Sequence, residues 1–196
     1  MTVPWKEQSL IDRMVTAVDR VRDRLNRSTA ALEVAGVPYA VCGGNAVAAW
    51  VATVDPAAVR NTQGIDILFR RADLMAAERA LSTAGFLKHT VKGVDIFLDG
   101  RNARPRDAVH VVIAGEKVRR HDSAATPGVA EAERRAGIRV LSLSALTRME
   151  LTAFHNENQM HLRDMLEVGL IDASWTAKLP PELAERLQTL IDTPEG

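Results

Sequence analysis

The chain is short of several things, and each shortage excludes something. It has one cysteine in 196 residues, Cys42, so no disulfide can form within it. That thiol lies in the apolar run YAVCGG and is expected as a small buried hydrophobe, not as a reactive group. Net charge is also missing: 25 Lys and Arg balance 25 Asp and Glu. Strong generic binding to nucleic acid or to an anionic membrane therefore has no driving field, and only a local basic patch could supply one. No apolar stretch approaches the roughly 20 residues of a membrane span, and the first residues lack a charged leader followed by an apolar run. The expectation is a soluble, cytoplasmic protein with no membrane contact. Internal repeats and low-complexity segments are absent too.

The hydrophobic pattern that is present reads as helix, mixed centre, helices. Over residues 9–35, Ile11, Met14, Val15, Val18, Val21 and Leu25 recur at steps of three and four, which predicts a long amphipathic helix. Ser9 can cap its start, and Gly36 and Pro38 stop it. A short strand YAVCGG, an alanine-rich helix NAVAAWVATV and a strand IDILF (65–69) come next. The helix after them carries Leu74, Ala77 and Leu81 on one face and ends at Gly85. GVDIFLDG alternates as a strand between glycines, and DAVHVVIAG reads as a fully buried one. Residues 119–137 are polar and rich in small side chains, and are expected as a long surface loop with at most one helical turn. After residue 142 come two helices, the first capped by Ser144, and a closing helix with proline in its first turn. The whole is expected to be α+β, with a long N-terminal helix, a mixed sheet flanked by helices over 1–142, and a C-terminal helical unit over 143–196 packed on that core.

Chemistry concentrates in the centre. A strand running through Gly43-Gly44 into a helix presents backbone N–H groups where the helix end favours an anion, and glycine lets a phosphate approach. A tight turn with no ligand is the structural alternative. Downstream, R60-N-T62-Q-G64-I-D66-I completes a pattern that resembles the nucleotidyltransferase superfamily, which includes polymerase-beta-like enzymes and antibiotic nucleotidyltransferases. The resemblance covers most of 37–118. The segment MELTAFHNENQMHLRDMLEVGLI resembles the helical part of uncharacterised and toxin-like bacterial branches, through Leu151, Ala153, His161, Leu162, Arg163 and Asp164.

The resemblance implies nucleotide contacts at Gly43, Gly44, Asn45, Arg60 and Thr62, and a catalytic, metal-binding role for Asp66. It also implies a partner acid at position 64, a third acid on the strand AVHVVIAGEK, and a lysine at the start of the C-terminal pattern. Gly64, His110 and Glu150 stand at those places. Gln63 and Ile65 point to the other face of the strand, leaving Asp95 and Asp107 as the acids that could approach from elsewhere. Two Mg²⁺ ions about 3.5–4 Å apart need more than one carboxylate, so Mg²⁺ is expected to bind weakly and nothing is expected to be tightly bound.

The remaining polar residues have structural readings beside functional ones. Asp66 can be an acid paired with Arg60 or Arg70, and His110 a satisfied cleft histidine. His155 and His161 lie six apart, off one helical face, which excludes a His-x-x-x-His zinc site. His161 and Asp164 share a face and, with Arg163, either line a cleft or form a salt-bridged surface. Lys117, Arg119 and Arg120 come after the third-acid strand where an anion could be met, and RNARPR (101–106) reads as a solvated loop. Three functions remain open. One is a metal-degenerate module that binds a nucleoside triphosphate or regulates a protein partner, as in toxin–antitoxin pairs. The others are an active transferase moving a nucleoside monophosphate to a protein, RNA or small-molecule hydroxyl, and a plain interaction protein.

Overall fold

The computed structural model describes residues 10–91 and 93–194. Its elements, in chain order, are α1 (Leu10–Val34), β1 (Ala40–Cys42), α2 (Gly43–Val51), β2 (Ile65–Phe69), α3 (Leu74–Thr83), β3 (Phe86–Val91), β4 (Val94–Asp99), β5 (Val109–Ile113), β6 (Ala132–Arg135), β7 (Ile138–Leu141), α4 (Leu143–Ala153), α5 (Asn156–Glu167) and α6 (Pro181–Asp192). The strands form one mixed sheet in the order β3-β4-β5-β2-β1-β7-β6. β2 runs parallel to β5 and β1 parallel to β7, and the other neighbours are antiparallel. The chain is thus α+β, with the mixed sheet and flanking helices that the sequence predicts.

β1 and β2 form the centre of the core. Ala40, Val41, Cys42, Ile65, Ile67, Leu68 and Phe69 are all fully buried, and Asp66 is the one polar side chain on either strand. The same buried cluster continues into Leu146, Leu151 and Leu162 of α4 and α5 and Leu187 of α6. Gly36 and Gly85 adopt positive φ at the ends of α1 and α3, a backbone shape that L side chains resist.

The structure corrects three local expectations and adds a strand, β3. Ser142, not Ser144, caps α4: its Oγ accepts from the Ala145 N–H, while the Ser144 hydroxyl accepts from Arg148. The stretch 119–137 is not all loop. It contains a turn at Val129–Glu131 and the edge strand β6, joined to β7 through Ala136 and Gly137, both at positive φ, as a two-residue hairpin requires. The sequence of β6, AERR, hides it because an edge strand with half-solvated faces has no apolar alternation to show. β5 is fully buried only at Val109, since His110 onward opens onto hollows instead of covering helices. β3 carries no clear signal either: only Phe86 of its six residues is buried.

In α1 the apolar stripe packs from Val21 onward, whereas Val15 and Val18 are exposed. Ser9 and the side chains of Ile11 and Met14 lie outside the described residues.

Candidate functional site

The turn from β1 into α2 is shaped by what presses on it. Gly43 has φ +59°, and a Cβ there would sit 2.6 Å from Asp66 Oδ2, so both backbone and space require glycine. A Cβ on Gly44 would lie 3.1 Å from His161 Nε2 and 3.1 Å from Thr62 Cβ. Cys42 occupies the N-cap position and offers no side-chain cap, so the first N–H groups of α2 are left for other partners. Burial, with the charges of Asp66 and Glu150, raises the Cys42 thiol far above its ordinary range, in keeping with an inert core residue.

Position 64 is where the structure is most informative. Asp66 pairs across the sheet with His110 of β5, and the imidazole leans over Gly64: a Cβ there would lie 3.0 Å from His110 Cε1. His110 Nε2 is 2.9 Å from the Pro105 carbonyl, which fixes it as the donor, and Nδ1 faces Asp66 Oδ1 at 3.4 Å. The hydrogen bond to Asp66 raises the His110 pKa against the opposing effect of burial, and the Pro105 carbonyl and the charges of Asp66 and Glu157 add to the rise. When protonated, the ring is a cation resting on the single carboxylate of β2.

A two-ion centre needs carboxylate oxygens on both sides of each metal. Here the space above position 64 holds an imidazole, and one face of Asp66 is taken by it. Among the described residues no group of three His, Cys, Asp or Glu side chains could hold a metal ion. The side chains present do not fit a two-metal site. Asp95 does not help, since it bonds Thr90 and Lys88 on the β3–β4 hairpin, and Asp107 lines a different hollow beside α1.

The opposite wall comes from α4 and α5. Glu150, 1% exposed, accepts from Asn158 at 2.7 Å and meets His161 Nδ1 at 3.1 Å. Burial alone would lower the His161 pKa, but the hydrogen bond and charge of Glu150, then the charges of Glu157 and Asp164, raise it on balance. One helical turn on, buried Asp164 accepts from Arg60 Nε at 2.7 Å. Burial raises the Asp164 carboxyl, with Arg60 pulling the other way.

Between these walls lies a cleft of about 590 Å³ lined by Gly44, Val47, Arg60, Thr62, Gly64, Asp66, His110, Glu157, Met160, His161 and Asp164. A second hollow, about 260 Å³, meets it at Asp66, Glu157 and His161.

Eight of the sequence-derived residues thus converge, and three do not. Asn45 is buried and its amide donates to the Gly64 carbonyl at 2.7 Å, so it fastens the loop instead of facing the cleft. Lys117 lines a separate hollow with Arg71 and Glu116. Arg163 turns to the end of α6 and donates to the Thr193 carbonyl.

Sequence reasoning misses three contributors. Arg106, in a loop expected to be solvated, lines the cleft. Glu157 does too, and its signal is there to be found: Glu157, His161 and Asp164 are spaced to share one face of a helix. Arg24 is buried and donates to the Gln63 carbonyl at 3.2 Å, a tie from α1 to the Arg60–Gly64 loop that no local pattern announces.

No protein-family model and no curated protein matches the sequence. Solved structures do. The antibiotic-resistance factor ANT(2'')-Ia in solution matches with a TM-score of 0.53 at 16% identity, over 91% of this chain and 94% of that one. Its crystal structure in complex with adenylyl-2''-tobramycin gives 0.52 at 16% identity, over 91% and 99%. A nucleotidyltransferase structure from H. pylori gives 0.53 at 13% identity, over 92% and 78%.

Proposed function

The fold is that of the nucleotidyltransferases, and we propose that this protein binds a nucleoside triphosphate in the cleft between α2 and α5 without performing metal-dependent nucleotidyl transfer. In this reading it is a regulatory module whose output passes to a protein partner, as in toxin–antitoxin pairs. The described residues up to 142 form the nucleotide-binding part, and α4, α5 and α6 pack on it as the opposite wall. The triphosphate lies against the N–H groups after Gly43 and Gly44, with Thr62, Arg60 and His161 around it. Mg²⁺ contributes little and arrives, if at all, with the nucleotide.

The observation that carries this reading is the His110 ring over Gly64, 3.4 Å from Asp66. Charge that builds on attacking and leaving oxygens during phosphoryl transfer is normally met by metal ions held on several carboxylates. Loss of one such anchor removes several kcal/mol of transition-state stabilisation, on the order of 10²–10³ in rate. Arg60, with His110 and His161 when protonated, is suited to holding an anion in the ground state, which does not lower the barrier.

The test is incubation of the purified protein with labelled nucleoside triphosphates and Mg²⁺ or Mn²⁺, with and without cell extract, alongside equilibrium binding of the same nucleotides. Saturable binding with no label transferred is the expected result. Strong labelling that disappears in Asp66→Ala would make this an active transferase, and absence of binding would leave only an interaction protein.

A further inference from the structure

We propose that Asp164 is a positioning residue: from α5 it holds the Arg60 guanidinium across the cleft so that its free edge meets the phosphates of the bound nucleotide. The proposal rests on the nucleotide-binding reading above and concerns how phosphate is told from the rest of the ligand.

The geometry is asymmetric. Asp164 is 6% exposed, whereas the Arg60 side chain is 59% exposed on the far side of the cleft mouth. Their contact joins residues 104 apart in sequence through Nε and Oδ1 at 2.7 Å. Nη1 points to Met160 Sδ at 3.7 Å, and Nη2 has no hydrogen bond among the described residues. A guanidinium is a planar fork of five N–H donors. Fixing Nε on a rigid carboxylate orients that plane, and it leaves the outer edge available for a bidentate contact with phosphate oxygens.

An exposed arginine with no such anchor would lose much of its rotamer freedom on binding. Asp164 takes up that cost during folding, which is the general advantage of preorganisation. The loop that carries Arg60 is tied down as well, by Asn45 to the Gly64 carbonyl and by Arg24 to the Gln63 carbonyl. Backbone and guanidinium are therefore both fixed before a ligand arrives. A surface salt bridge of merely structural value would not need a buried acid at its inner end, because burial of that carboxylate is itself unfavourable.

The experiment measures the affinity of ATP and of adenosine, in EDTA, for the wild type, Asp164→Asn, Arg60→Ala and the double variant. The ATP-to-adenosine affinity ratio should fall about tenfold in Asp164→Asn and in Arg60→Ala, with no further fall in the double variant, since both changes remove the same contact. A ratio that falls in Arg60→Ala but not in Asp164→Asn would overturn the proposal and leave Asp164 a packing residue. In parallel, the Arg60 Nε–H resonance, assigned by its loss in Arg60→Lys, should be slowly exchanging in the free wild type and broadened or lost in Asp164→Asn. That arm stands without any ligand: if the wild type binds no nucleotide, the functional reading fails on the titration, while an unprotected Nε–H would sink the positioning role by itself.

Discussion

The two walls of the cleft each carry a histidine against a carboxylate, and they differ in depth. On the sheet side, His110 and Asp66 are each about one-third exposed and stand 3.4 Å apart. On the helical side, the side chains of His161 and Glu150 are 12% and 2% exposed at 3.1 Å, with Asn158 completing the acid's hydrogen bonds. Screening by water makes the first pair cheap to form and cheap to lose. The second pair is costly to bury and more costly to break, because removing one partner strands the other. The sheet-side pair can thus trade partners with a ligand, whereas the helical pair is part of the framework that presents His161 to the Gly44 turn.

Truncation should separate the two walls most clearly. Glu150→Ala is expected to destabilise the protein by about 3–5 kcal/mol, since it leaves His161 and Asn158 facing a buried hole. His110→Ala should cost about 1 kcal/mol or less, given its half-solvated partner. Denaturant titration of both variants checks the comparison, and similar losses would erase the distinction between the walls.

A smaller effect is expected from pH. The folded-state pKa of His161 is raised, so its contribution to stability is fully present below the unfolded value of about 6.5 and fades as pH rises through the folded value. His110 acts in the same direction. The melting temperature should therefore decline from mildly acid to mildly alkaline pH, and the slope should flatten in Glu150→Gln. A slope of opposite sign would contradict the raised folded-state values of both rings.

Legibility in the sequence depends on range. The β1–Gly–Gly–α2 turn and β2 are readable because a buried strand, two glycines and a lone acid stand close together along the chain. The sequence shows a glycine at position 64, but not that His110 fills the space above it, because the β2–β5 register joins residues 44 apart. Arg24 is hidden in the same way, on an unremarkable arginine-rich helix 39 residues before the carbonyl it meets, whereas Glu157 is legible from its helical spacing to His161 and Asp164. β3 and β6 are hard to see because edge strands lack the buried alternation by which strands are recognised. Val15 and Val18 show the converse error, as periodicity promises burial that the fold does not provide there.

The central claim is that an imidazole stands where a metal-binding acid would be, and calorimetric titration with Mg²⁺ addresses it most directly. Gly64→Asp alone should bind no better than wild type, because its Cβ would already meet the His110 ring at 3.0 Å, and overpacking of this kind costs about 1–3 kcal/mol. Combined with His110→Asp, the same substitution clears the ring and sets new carboxylates beside Asp66. The account predicts no saturable Mg²⁺ binding below the millimolar range in the wild type, and at least about a tenfold gain in the double variant. Submicromolar binding by the wild type that vanishes in Asp66→Ala would contradict it.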